Sequence, residues 1–98
     1  MSCYGSARSY SAEAGSSASD NAHWPKRGQW TSVKGNCSDI NIKTDSTRSV
    51  RVCTHNKCHG WHKAKAGVWT VIFPKSTKNA EYYVQFDGMS TNSGTIAD

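Results

Sequence analysis

The sequence predicts a small all-β domain, an antiparallel β-sandwich or barrel held by two disulfides. Three observations indicate this fold. Several short runs alternate apolar and polar residues, turn-forming residues separate these runs at intervals of about 8–14 residues, and a chain rich in Ser and Thr carries an even number of cysteines. With 98 residues, the chain has the length of a single domain, 1–98, whose core alone would give marginal stability.

Four runs carry the strand pattern. Residues 39–44, 49–53 and 81–87 alternate strictly, whereas residues 68–73 are rich in β-branched and aromatic residues and are interpreted as a central strand. The alternation predicts inward-facing side chains at Ile40, Ile42, Val50, Val52, Tyr82, Val84 and Phe86. Tyr83 is then expected on the solvated face.

The first forty residues are less regular. Residues 4–14 are interpreted as an opening strand, or in part as a short helix around residues 11–14. Residues 15–20 have the composition of a loop, and residues 29–33 that of another strand. Turns are predicted at residues 35–36, 44–47, 56–57, 67, 74–79 and 92–94.

The cysteines predict the covalent framework. Cys3, Cys37, Cys53 and Cys58 allow three pairings. Cys53 and Cys58 are close enough to bridge a tight hairpin, which leaves Cys3 to pair with Cys37. The loop-entropy model gives the short bridge about 2 kcal/mol and the long one about 4 kcal/mol of stabilisation. Disulfides in so small a domain favour a secreted protein.

Apolar runs are short throughout the chain. None approaches the roughly 20 residues that a membrane-spanning helix needs, so no membrane span is expected. The N-terminus also lacks the charged, then apolar, then small-residue pattern of a leader. If the protein is exported, Met1 is expected to be a start residue placed on a mature chain.

Five potential metal ligands fall between residues 53 and 62, namely Cys53, His55, Cys58, His59 and His62. Zinc prefers four Cys or His ligands in tetrahedral geometry. A disulfide across the hairpin uses both thiols, and the remaining histidine, His23, lies far away in the sequence. We therefore expect a structural disulfide, no bound metal and no other cofactor; the alternative is a weak, adventitious site on the three histidines.

The sequence contains little that indicates a catalytic site. There is no Gly-x-Ser-x-Gly turn, and the seven Asp and Glu residues show no spacing that would pair two carboxylates across a cleft. The sequence therefore predicts a protein that is not an enzyme. A small hydrolase or nuclease is the alternative.

Positive charge is concentrated in one part of the chain. The protein has 12 Lys and Arg against 7 Asp and Glu, a formal net charge of +5. Residues 46–80 contain seven of the basic residues and none of the acidic ones. Such a block favours an anionic partner, or else is a basic solvated face that keeps the protein soluble.

Two of the four tryptophans lie in polar, basic loops. Trp24 is next to His23 and Pro25, and Trp61 lies between His59 and His62. Such side chains stack on a sugar, a base or a partner's ring, or else cover the ends of the sandwich. We expect at least one to be partly exposed, whereas Trp30 and Trp69 are expected in the core. The predicted binding residues are Trp24, Lys26, Arg27, Lys57, His59, Trp61 and His62.

The second half of the chain carries a resemblance. Residues 50–53 (VRVC), 58–61 (CHGW) and 64–72 (AKAGVWTVI) resemble small exported proteins of actinobacteria such as Streptomyces. The resemblance covers residues 49–98. It implies a secreted β-sandwich with two disulfides, and many members of this group have no assigned activity.

Two binding hypotheses remain. The first is a secreted non-catalytic binding protein for a carbohydrate or an anionic cell-wall polymer; a nucleic-acid partner is not expected. The second is a protein-binding agent, such as a protease inhibitor or a subunit of a secreted toxin or antagonistic complex. The loop between Cys53 and Cys58, with Lys57 at its tip, would make that contact, because a pinned loop loses little freedom on binding.

Overall fold

The computed structural model describes residues 2–98 and confirms the all-β fold as a sandwich of two antiparallel sheets. Met1, interpreted above as a start residue, lies outside the described residues. The strands in residues 2–98 are β1 (Arg8–Ser11), β2 (Ala22–Trp24), β3 (Thr31–Ser32), β4 (Ile40–Thr44), β5 (Arg48–Cys53), β6 (His62–Ala64), β7 (Thr70–Phe73), β8 (Glu81–Phe86) and β9 (Ser93–Ala97).

One sheet has four strands in the order β1-β9-β4-β7, and the other has five. In the five-stranded sheet, β2-β8-β5-β6 run side by side, and β3 also pairs with β8. The register explains this arrangement. β2 pairs with the last residues of β8, from Phe86 to Val84, and β3 pairs with its first two, Tyr82 and Glu81.

The core lies between the two sheets. All seven side chains that the alternation places inward are at most 1% exposed, which confirms the period-2 pattern in β4, β5 and β8. Tyr10, Ile72 and Ile96 complete the centre of the core, and Trp24 and Phe73 pack against it from the edges.

Both predicted disulfides are present. Cys3 is bonded to Cys37, with a sequence separation of 34, and Cys53 to Cys58, with a separation of 5. The first bridge lies beside the four-stranded sheet, where Asn41 of β4 contacts Cys3. The second closes the hairpin at the end of β5 in the five-stranded sheet. The described part of the chain contains no helix with the length and hydrophobicity of a membrane-spanning segment.

The prediction of a central strand at residues 68–73 is wrong. Only Thr70–Phe73 form a strand, and β7 lies at the edge of its sheet. Val68 and Val71 are accordingly exposed. β-Branched and aromatic residues indicate a side chain that fits a pleated surface, and this preference does not distinguish an edge strand from a central one.

The prediction of a turn at residues 92–94 is also wrong. Ser93 and Gly94 begin β9, which lies between β1 and β4. A Cβ atom at Gly94 would lie 2.1 Å from the carbonyl oxygen of Lys43. Glycine is therefore needed here for the close approach of two backbones, and not for a turn.

The opening segment contains a strand, but a shorter one than predicted. β1 covers Arg8–Ser11, and a single 3-10 turn covers Tyr4–Ser6. The helix considered around residues 11–14 is absent, since Glu13 forms an isolated β-bridge with His23. The strands β2 and β6, of three residues each, were not predicted, because runs so short carry no readable period.

Candidate functional site

The five-stranded sheet presents one face to solvent. Directly paired residues share a face, so the register places His23, Gln85 and Arg51 in one row across β2, β8 and β5. Trp61, just before β6, extends this row, and the guanidinium carbon of Arg51 lies 4.5 Å from the centroid of its ring. We call the surface formed by five side chains the aromatic face; they are Trp30, Arg51, Trp61, Tyr83 and Gln85.

Trp30 and Tyr83 form the second part of the aromatic face. Trp30 directly precedes β3, and its ring meets the ring of Tyr83 edge to face, with 5.2 Å between the centroids. The other neighbour of Trp30 is His55, whose ring stacks on it at 3.7 Å. Trp30 is thus fixed by two rings although it is 36% exposed.

The short disulfide loop supports this cluster. Nε2 of His55 lies 2.9 Å from Oε1 of Glu81, and the Cys58 sulfur lies 3.8 Å from the Tyr83 hydroxyl. The Cys53–Cys58 bond closes the loop that carries His55. The bridge therefore positions a ring that in turn positions Trp30.

Arg51 is oriented by its neighbours on both sides. Its Nε–H donates to Oε1 of Gln85 at 2.7 Å, and its guanidinium lies over Trp61. This geometry fixes the guanidinium above the sheet while Trp61 remains 41% exposed. A cation over an indole ring is stabilised by the ring quadrupole.

A hollow of about 320 Å³ adjoins the aromatic face at the loop between β2 and β3. Trp30 and Tyr83 form its apolar wall, and Lys26, Gln29 and Gln85 supply polar groups. Its volume lies at the lower end of the range of small-ligand sites, about 300–1,000 Å³. The hollow combines flat apolar surface with hydrogen-bonding groups, as a site for a polar ring does.

Two of the predicted binding residues, Lys26 and Arg27, lie at this hollow. They differ in whether their charge is paired with a carboxylate. Arg27 is paired with Asp20 and lies 3.5 Å from Oε1 of Glu13. Hydrogen bonds from Arg27 and Ser16 hold the pKa of Asp20 well below its usual range. Arg27 therefore stabilises the loop, whereas Lys26 has no ion-pair partner in residues 2–98.

Trp24 does not lie on the aromatic face. It pairs with the buried Val84, so its side chain is on the core side of β2, where the rings of Tyr10 and Trp24 are 6.0 Å apart. Its neighbour His23 points outward, and its Nδ1–H donates to the carbonyl oxygen of Pro25 at 2.7 Å. Adjacent strand residues face opposite sides, so Trp24, one of the predicted binding residues, lies apart from the aromatic face.

The expectation that Trp30 and Trp69 belong to the core is wrong. Trp30 lies on the solvent-facing side of the five-stranded sheet, as described above. Trp69 stacks on Tyr4, and the ammonium of Lys43 lies 5.3 Å from its ring centroid. Both rings lie on outer sides of the sandwich, which no further layer covers in residues 2–98. The exposure of Trp61 confirms that one of the two loop tryptophans is accessible.

The remaining predicted residues are dispersed. His59 packs edge to face on Phe73 at 4.8 Å, in a second hollow at the end of the sandwich. His62 is exposed on the edge strand β6, and Lys57 is exposed at the tip of the disulfide loop. His55, His59 and His62 therefore have different neighbours. In residues 2–98, no group of three or more His, Cys, Asp or Glu side chains is placed to hold a metal ion.

Comparison with protein-family models, with curated proteins and with solved structures finds no match to this chain.

Proposed function

We propose that this protein is a secreted, non-catalytic binding protein that binds a polysaccharide, such as a cell-wall polymer, on its aromatic face. The observation that carries the proposal is the placement of Trp30, Tyr83 and Trp61 on the solvent-facing side of one sheet. Aromatic rings with adjacent polar groups suit a ligand that has both an apolar ring face and many hydroxyls. The amide groups of Gln29 and Gln85 supply hydrogen bonds beside these rings.

The dimensions of the face fit an extended chain. Strands are spaced about 4.8 Å apart, so the distance from the β2–β3 side to β6 is about 14 Å. A polymer lying across the strands would meet Trp30, then Tyr83, then Trp61. Each of these rings is already held by a neighbour, so binding orders few side chains and loses little conformational entropy.

Secretion is part of the proposal. The two disulfides involve all four cysteines, and such bonds persist in oxidising compartments. The proposal agrees with the resemblance to exported actinobacterial proteins, which itself stays a prediction.

The test is retention on insoluble polysaccharides. Wild-type protein is applied to cellulose, chitin and isolated cell walls at low and high salt, and Trp30→Ala and Trp61→Ala are compared with it. The matched control is Trp69→Ala, which removes an indole ring from the outer side of the other sheet. We expect part of the retention to survive high salt, because stacking is not screened, and we expect retention to fall only in the first two variants. Equal loss in all three variants, or no retention on any polymer, would contradict the proposal.

A protein partner is the second candidate, and one observation favours it. Lys57 is exposed at the tip of a loop that is closed by a disulfide and by a hydrogen bond of 2.9 Å from the Thr54 N–H to the Lys57 carbonyl. A rigid loop with a basic tip suits a protease that cleaves after lysine. Inhibition of a trypsin-type protease by the wild type, lost in Lys57→Ala, would favour this function over polysaccharide binding.

A further inference from the structure

We propose that the ligand of the aromatic face is an acidic polysaccharide, and that Arg51 binds its anionic groups. This inference rests on the function proposed above and specifies its ligand class. It follows from the juxtaposition of a fixed, unpaired guanidinium with exposed rings in the middle of the face.

The guanidinium of Arg51 has donors to spare. Its Nε–H is used by Gln85, and its orientation is set by Trp61. The two terminal NH2 groups have neither a hydrogen-bond acceptor nor a carboxylate partner in the part of the chain that the structure describes. A planar guanidinium with two free NH2 groups matches the paired oxygens of a carboxylate, a sulfate or a phosphate.

Two of the acidic side chains near the face already have a partner. Glu81 is bound to His55, and Asp20 to Arg27. The basic side chains Lys26 and Lys63, by contrast, have no ion-pair partner within residues 2–98. Lys63 pairs with Ser49, two residues before Arg51 on β5, so it faces the same side of the sheet. A third acidic residue, Asp87, lies two residues beyond Gln85 on the same side of the sheet and is exposed, with no ion-pair partner among the described residues. The three available cations outnumber this one carboxylate, so the face keeps an excess of positive charge that suits a polyanion.

A single-stranded nucleic acid would also supply anionic groups and rings that stack. The observations favour the polysaccharide. Sequence-independent nucleic-acid binding rests largely on phosphate contacts, and this face offers only three unpaired cations. Three such contacts predict a slope of only about −2 in a plot of log K against log salt concentration. The amides lining the hollow add hydrogen bonds that suit hydroxyls.

The experiment compares polymers that differ only in charge. Polygalacturonate is paired with its methyl ester, and dextran sulfate with dextran; poly(U) represents nucleic acid. Affinities are measured for wild type, Arg51→Gln, Arg51→Lys and Lys43→Gln. Lys43 is the matched control, since it too is a cation over an indole ring, that of the half-buried Trp69 on the opposite sheet. All variants are checked for an unchanged unfolding midpoint.

We expect wild type to bind an acidic polymer more tightly than its neutral partner. Arg51→Gln should lower that affinity by about 10- to 100-fold, as expected for charge-assisted hydrogen bonds, and Lys43→Gln should not change it. Arg51→Lys should recover only part of the affinity, because an ammonium lacks the planar fork. A preference within the polygalacturonate pair would indicate that the ligand group is a carboxylate, and a preference within the dextran pair would indicate a sulfate.

Four results would overturn the inference. If neutral polymers bind as well as acidic ones and Arg51→Gln has no effect, polysaccharide binding stands but its acidic ligand does not. If Arg51→Gln and Lys43→Gln weaken binding equally, the attraction is diffuse charge. If poly(U) binds more tightly than every polysaccharide and depends on Arg51, the ligand is a nucleic acid. If no polysaccharide binds at all, the proposed function itself fails.

Discussion

We expect the two disulfides to differ in their effects: removing one mainly lowers the free energy of unfolding, and removing the other mainly lowers the affinity for the ligand. The Cys53→Ala, Cys58→Ala double variant opens a loop with a sequence separation of 5, and the Cys3→Ala, Cys37→Ala variant one with a separation of 34. In the loop-entropy model, these changes cost about 2 and about 4 kcal/mol of unfolding free energy. The larger loss of stability is thus expected from the long bridge.

The expected effects on binding have the opposite order. The short bridge holds the loop of His55, which stacks on Trp30, and its sulfur contacts Tyr83. Opening it leaves His55 and Trp30 to be ordered on binding, at about 0.5–1.5 kcal/mol for each side chain, so affinity should fall about tenfold. The long bridge lies beside the other sheet, so its removal should leave the affinity per folded molecule unchanged.

The assay combines urea unfolding with affinity measurements on the polymer retained best by the wild type. Binding is measured at about 15 °C, near the temperature at which small domains are most stable. Intact mass provides the control. The wild type should weigh four hydrogens less than the reduced chain, and each double variant two. If the variant without the long bridge loses affinity while the other keeps it, the assignment of the site to the five-stranded sheet is refuted.

Three further predictions concern single side chains, metal and pH. Trp61→Ala should weaken binding by more than about 1 kcal/mol, and Lys63→Ala by less. Trp24→Ala should instead lower the unfolding free energy by about 3 kcal/mol and leave binding per folded molecule unchanged. Binding and unfolding are measured in parallel for these variants. If Trp24→Ala weakens binding and Trp61→Ala lowers only stability, the placement of these rings is contradicted. EDTA should leave the thermal midpoint unchanged, whereas a large fall in a calorimetric scan would indicate a structural metal. The pKa of Asp20 is lowered in the folded state, chiefly by Arg27, so its contribution to stability is present above the unfolded pKa of about 4 and is lost as the pH falls further. Urea unfolding between pH 2 and 7 should show this loss, and Asp20→Asn should reduce it; an identical pH profile for the variant would refute the ion pair.

The position of Trp30 shows what a period-2 pattern does not predict. The alternation in residues 81–87 correctly places Tyr83 away from the core, so the orientation of this member of the aromatic face could be predicted from the sequence. Trp30 meets Tyr83 only because β3 pairs with the start of β8. A residue that precedes a two-residue strand has no local pattern that indicates its face, and the strand-like surroundings of Trp30 led to the prediction that it belongs to the core.

Local patterns in the sequence were enough to predict the all-β class, the inward faces of β4, β5 and β8, and both disulfides. These features depend on local alternation and on the short separation of Cys53 and Cys58. The folded arrangement was needed to show that β7 is an edge strand, that β9 is a central one, and that Trp24 faces the core while Trp61 is exposed. Strand order and register are set by contacts between residues far apart in the chain, so alternation indicates which side chains share a face but not what covers that face.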